Sequence, residues 1–174
     1  RLAVAPPHRA ALAFQLPSFG AAIEAARLVL RRGVRPLAAR VLTSGLFALE
    51  LVAHVEDHLR AAVTVTTTSA EALGARVVDE AGLARGGRFD AVVEVASHWT
   101  RAEERIQAMR EASGGEVWVD FLAPEGVTLV ARVLDVDSRR RVAEACKGLR
   151  ILAGIRGRDP SGELAEADDE AAVS

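Results

Sequence analysis

The feature that most constrains this chain is a repeated exchange between two hydrophobic periods, 2.0 for strands and 3.6 for helices. Leu12, Phe14 and Leu16 share one side of a strand over Ala10–Leu16, and Pro17-Ser18 breaks it. Ile23, Ala26 and Leu30 then follow at helical spacing from Phe19 to Arg32, with Gly33 as the stop. Pro36–Leu42 reads as a second strand, and Gly45–Leu59 as a helix marked by Leu46, Leu49, Val52, Ala53 and Glu56. Ala62–Thr68 alternates strictly and is β-branched, which predicts a strand. Ser69 caps a helix to about Ala84, ending in Arg85-Gly86-Gly87, and Phe89–Ala96 is a further strand.

Thr100-Arg101-Ala102-Glu103 has the form of a capping box and opens a helix to about Ala112, closed by Ser113-Gly114-Gly115. A hairpin follows, Val117–Leu122 and Val127–Leu134 around Ala123-Pro124-Glu125-Gly126. Asp137 or Ser138 caps a last helix to about Lys147, and Leu149–Ile155 is a short strand. The strands alternate rather than forming continuous apolar runs, so an antiparallel sheet with one wet face is expected. The fold class is therefore α+β: a ferredoxin-like antiparallel sheet covered by helices, with duplicated βαβ units at Arg9–Leu42 and Ala62–Ala96. One domain is expected over residues 1–156, followed by an acidic, disordered tail over 157–174. The opening Arg1–Pro7, a β-like run without a Met, reads as a cut inside a longer protein.

Composition excludes several function classes. A net charge of −2 and 4% aromatic residues give neither a basic footprint nor a stacking platform for nucleic acid. No run of 18 apolar residues is present to span a membrane, and no signal peptide is visible. One cysteine, Cys146, precludes an internal disulfide and a cysteine-based zinc site, so a reducing cytoplasmic setting is expected. No G-x-G-x-x-G, no G-x-x-x-x-G-K-[ST] and no G-x-S-x-G occurs.

The chemistry-bearing candidates are few. His54 and His58, spaced i, i+4, face one way if helical; a metal would need a third ligand, and a solvent-facing stripe is the preferred reading, with no metal site. Arg31, Arg32 and Arg35, like Arg139, Arg140 and Arg141, are either solvated, dipole-complementing clusters or anion sites. Glu94, inside the apolar run Ala91–Ala96, needs water, a cation or a ligand. His98 and Trp99 stand at the start of a helix, as cleft residues or as a cap and a core residue.

Three segments in order carry a resemblance. Phe14-Gln15-Leu16-Pro17-Ser18-Phe19 with Arg31-Arg32-Gly33-Val34-Arg35-Pro36-Leu37-Ala38-Ala39-Arg40 resembles the opening of the C-terminal domain of FAD-linked oxidases. Glu94-Val95-Ala96-Ser97-His98-Trp99 resembles that family's "ETAxxW", and Leu122–Leu129 its hairpin. The alkyldihydroxyacetonephosphate synthase and glycolate and D-lactate dehydrogenase types fit best. The resemblance implies an α+β cap on the substrate side of an FAD-dependent oxidoreductase acting on a small hydroxy acid or similar anion. Its FAD would be held mainly by an N-terminal flavin-binding domain or subunit absent from this chain. Arg40 would clamp the substrate's anionic group, and Glu94, His98 and Trp99 would line the cleft; Arg40 as an ion-paired strand residue is the alternative. The chain departs from the family at Thr43, at Thr66-Thr67-Thr68, and in lacking its histidine-rich stretch. A non-catalytic ferredoxin-like binding or regulatory module is the competing function.

Overall fold

The computed structural model describes residues 7–79, 92–124, 126–133, 135–146 and 151–153. The chain divides into two compact units, residues 1–84 with 121–124, and residues 85–120 with 125–174. The order of elements in the first is β1 (His8–Gln15), α1 (Phe19–Arg31), β2 (Ala38–Leu42), β3 (Leu46–Ala53), α2 (Glu56–Glu71) and β4 (Arg76–Val77). The second runs β5 (Val92–Ser97), a 3-10 turn (Trp99–Arg101), α3 (Ala102–Ser113), β6 (Val117–Ala123), β7 (Gly126–Arg132), α4 (Val136–Ala145) and β8 (Ile151–Ala153).

Each unit is thus βαββαβ, and each has the same strand order. β1 pairs antiparallel with β3 and β4, and β2 antiparallel with β3, giving β4-β1-β3-β2. β5 pairs antiparallel with β7 and β8, giving β6-β7-β5-β8, the same order read from the other end. The fold is α+β with ferredoxin-like antiparallel sheets covered by helices. The repeat falls at β1–β4 and β5–β8, not at Arg9–Leu42 and Ala62–Ala96 as the periodicity suggests.

That shift has a local cause. Residues 46–53, spaced like a helix in sequence, form β3, the central strand beside β1 and β2. Phe47, Ala48, Leu49 and Leu51 are all buried, so both faces need apolar residues and the period of 2 vanishes. Gly45 starts the strand at φ 91, closing the turn with its N–H on the Leu42 carbonyl at 3.0 Å. The β-branched stretch 62–68 is helical instead. Thr64 and Thr68 hydroxyls donate to the carbonyls of Arg60 and Thr64, at 3.0 and 2.8 Å, so these side chains bond within the helix. Ser69 sits near the end of α2 rather than capping a new helix, and its hydroxyl donates to the Val65 carbonyl at 2.6 Å.

Two caps differ from the sequence reading. Thr100 lies in the 3-10 turn, and α3 starts on Arg101 without a side-chain cap; Arg101 pairs with Glu104 at 2.8 Å instead. Asp135, not Asp137 or Ser138, caps α4, accepting from the Ser138 N–H at 2.6 Å and its hydroxyl at 2.7 Å. Ser18 caps α1 through the Ala21 N–H at 3.1 Å, and Gly33 and Gly114 follow α1 and α3 as expected. The tail over 157–174 lies outside the described residues.

The first core joins Phe14 and Phe47, ring centroids 6.2 Å apart, to Val41, Leu49 and Leu51 and to the alanine-rich face of α1, Ala22, Ala25, Ala26 and Val29. Alanines let the helices approach closely, and α1 packs on α2 as well as on β2 and β3. In the second unit Val95, Leu129, Ala131 and Val119 meet Ile106, Met109 and Val142 of the helices.

Candidate functional site

Strand alternation sorts the first sheet into two faces. Leu12 and Phe14 of β1 stand opposite Leu49 and Phe47 of β3, with Ala39 and Val41 of β2 alongside. Both helices cover this side, since α1 and α2 pack on each other and on the strands. The opposite parity holds Arg9, Ala11, Ala13 and Gln15 on β1, Leu46, Ala48, Glu50 and Val52 on β3, and Ala38, Arg40 and Leu42 on β2.

Arg40 lies on this face, which neither α1 nor α2 covers, opposite Ala48 in the ladder; Arg40 is half-buried, and Ala13 and Ala48 beside it are buried. Its neighbours by register are alanines, whose side chains end at Cβ. Along the same face Arg9 Nη1 reaches Glu50 Oε1 at 3.0 Å. Gln15 closes the end of the face, donating its amide to the carbonyls of Leu16 and Ser44 at 3.0 and 2.9 Å.

The other three candidates belong to the second unit. Glu94 occupies a ladder position opposite Val130 of β7 and Ala153 of β8, where the β8 register shifts; its side chain lies outside the described residues. His98 is exposed, just before the 3-10 turn. Trp99 is buried, 8% exposed, so packing is a role it fills. Ser97 ties this corner together: its hydroxyl donates to the His98 carbonyl at 3.2 Å and accepts from Arg105 Nη1 at 2.9 Å.

The remaining sequence candidates resolve individually. His54 and His58 do not share a helix: His54 precedes α2, and His58 is in its first turn. Among the described residues no group of three or more His, Cys, Asp or Glu side chains could hold a metal ion. Cys146 is buried, and burial pushes its thiol above the usual range, with Arg105 pulling the other way. Arg35 Nη1 donates to the carbonyls of Leu30 and Val34, and Arg141 Nε to Ala112 O at 3.0 Å, so both serve helix C-termini. No helix among the described residues is long and apolar enough to cross a membrane.

A groove of about 510 Å³ between β1 and α2 is absent from the sequence reading. It is lined by His8, Arg9, Glu56, Leu59, Arg60, Val63 and Thr64. Its α2 stripe is invisible once 62–68 is read as a strand. Both of its arginines are neutralised, Arg9 by Glu50 and Arg60 by Glu56 at 2.6 Å.

Neither the β1–α1 nor the β5–α3 turn offers a glycine-lined phosphate cradle. Doubly wound folds hold a dinucleotide phosphate on glycine-cleared N–H groups at a strand-to-helix turn. The first such turn here is Leu16-Pro17-Ser18, where Ser18 Oγ already occupies an N-terminal N–H of α1. The β5–α3 connection is a 3-10 turn carrying the bulk of Trp99.

No family model matches the chain, and no curated protein matches it in sequence. Among solved structures, an alkyldihydroxyacetonephosphate synthase is similar, with a TM-score of 0.56 and 10% identity over 92% of this chain. The similarity covers 41% of that structure, so this chain spans less than half of its length. At such identity the likeness concerns the backbone alone: the chain shares its fold with part of an alkyldihydroxyacetonephosphate synthase.

Proposed function

We propose that residues 1–156 form the substrate-side cap domain of a cytoplasmic FAD-dependent oxidoreductase acting on a small hydroxy acid or a similar anion. The carrying observation is the one-sided sheet of the first unit: both helices on one face, and Arg40 among alanines on the other. A face of that kind can contribute to a ligand site, because a guanidinium fork matches a carboxylate or phosphate. The fold shared with part of an alkyldihydroxyacetonephosphate synthase supports the reading. FAD itself belongs, in this proposal, to an N-terminal flavin-binding domain or subunit. Glu94, His98 and Trp99 are proposed to line the cleft.

Arg40 is the residue to test, in the complete gene product with glycolate and D-lactate as probes. Arg40→Ala should raise KM at least about tenfold, the loss of roughly one charge-assisted contact. Arg40→Lys should recover little of it, since a point charge cannot replace a planar fork. Equal losses in melting temperature and affinity would make Arg40 a structural residue and remove the basis of the proposal.

A second reading, a non-catalytic ferredoxin-like binding or regulatory module, is favoured by the capped α1 N-terminus, which leaves no phosphate cradle there. The two part on one observation: a module without chemistry shows no dependence on hydroxy acids.

A further inference from the structure

Charge is matched locally over much of this surface. Arg9, Arg27, Arg60, Arg101, Arg132 and Arg140 each stand within 4.0 Å of a carboxylate. Arg76 and Arg110 stand outside this pattern singly, and the turn leaving α1 does so with three arginines together. Arg31, Arg32 and Arg35 are all exposed, and none pairs with a carboxylate of the described residues. In a chain with 24 acidic against 22 basic residues, three unmatched arginines between positions 31 and 35 are a local excess of positive charge.

Two of the three are also anchored. Arg32 Nη1 donates to Ser69 Oγ on α2 at 3.0 Å, and that hydroxyl is fixed in turn by the Val65 carbonyl. Arg35 Nη1 donates to Leu30 O at 2.9 Å and Val34 O at 3.1 Å. Each guanidinium is held through Nη1 by neutral acceptors, so its full charge remains and its Nε and Nη2 donors make no hydrogen bond to described residues. Anchoring lowers the rotamer entropy that a ligand must otherwise overcome. Between them Gly33 turns at φ 90, and a Cβ built there meets nothing within 4 Å, so the turn is open on that side.

We infer that the Arg31–Arg35 turn binds an oxyanion of the phosphate class. Several guanidinium forks around one turn suit a tetrahedral dianion, which offers more acceptor oxygens and more charge than one carboxylate. The negative end of α1 opposes an anion here, but Arg35 already occupies its carbonyls. The site is independent of the cap-domain proposal, because it lies at a helix end rather than on the face that α1 and α2 leave uncovered.

The test is an amide NMR titration of the 174-residue chain with inorganic phosphate at constant ionic strength, alongside a glutamate-rich peptide and sodium chloride. Saturable shifts confined to residues 31–37, with Kd on the order of millimolar, are expected for phosphate. Arg31→Gln with Arg32→Gln should weaken binding at least about fivefold at unchanged amide dispersion. Should that double variant misfold, Arg31→Gln alone, at a side chain making no hydrogen bond or ion pair to described residues, should weaken it about twofold. Linear shifts, affinity unaffected by these substitutions, or saturation by the glutamate peptide alone would each overturn the assignment.

Discussion

Gly33 and Gly45 both hold a left-handed backbone, φ 90 and φ 91, yet they differ in what surrounds them. At Gly45 a Cβ would lie 2.7 Å from the Leu16 carbonyl oxygen, whereas at Gly33 it would meet nothing within 4 Å. Gly33→Ala should therefore cost about 1 kcal/mol, the conformational penalty alone, and Gly45→Ala about 2 kcal/mol more, since backbone must shift. Denaturant midpoints of the two variants check this, and equal losses would contradict it. Gly126 repeats the arrangement in the second unit: a Cβ there would lie 2.6 Å from the Ser97 carbonyl oxygen, again where the first strand ends beside the third. Thr66 presents the opposite case, a fully buried residue whose Oγ1 has no hydrogen-bond partner in the described structure. Thr66→Val keeps the shape and removes an unsatisfied hydroxyl, so unfolding free energy should hold or rise by up to about 1 kcal/mol. A clear loss in urea unfolding would mean that the hydroxyl is bonded in solution.

At the scale of elements, α2 separates intrinsic preference from context. Its sequence over 62–68 favours a strand, and the structure makes it a helix by packing it on α1, β1 and β3. A peptide of residues 56–71 should thus be less than about 20% helical by circular dichroism in water. Strong helicity in isolation would show that the preference was misjudged rather than overridden. α4 depends on its cap. The Asp135 carboxyl is held below its usual range by the Ser138 hydroxyl and N–H. A depressed folded-state value gives stability that is present above the ordinary Asp pKa of about 3.9 and is lost as pH falls through the folded value. The melting-temperature gap between the natural chain and Asp135→Ala should therefore be open at neutral pH and narrow below about pH 4. A gap constant down to strong acid would exclude the carboxylate as its source. The same elements show what the sequence made legible. α1 and the strand after it were readable because Ser18, Gly33 and a clean 3.6 period act locally. β3 and α2 were not, because burial on both faces and helix-internal threonine bonds are decided by distant partners. Arg40 could be picked out from its strand, but its place opposite Ala48 on the face that α1 and α2 leave uncovered needs the β2–β3 register.

For the whole molecule, two βαββαβ units of identical strand order account for the elements of the described chain. Neither unit offers a glycine-lined phosphate cradle at its first strand-to-helix turn, and the first unit has a face with Arg40 and alanines that α1 and α2 leave uncovered. A cap over a cofactor carried elsewhere uses both properties at once. The visible absorption spectrum of the purified complete gene product tests this most directly. An oxidised-flavin spectrum that bleaches when a small hydroxy acid is added without oxygen is expected, while this chain alone stays colourless. A complete protein that is colourless and takes up no FAD would contradict it.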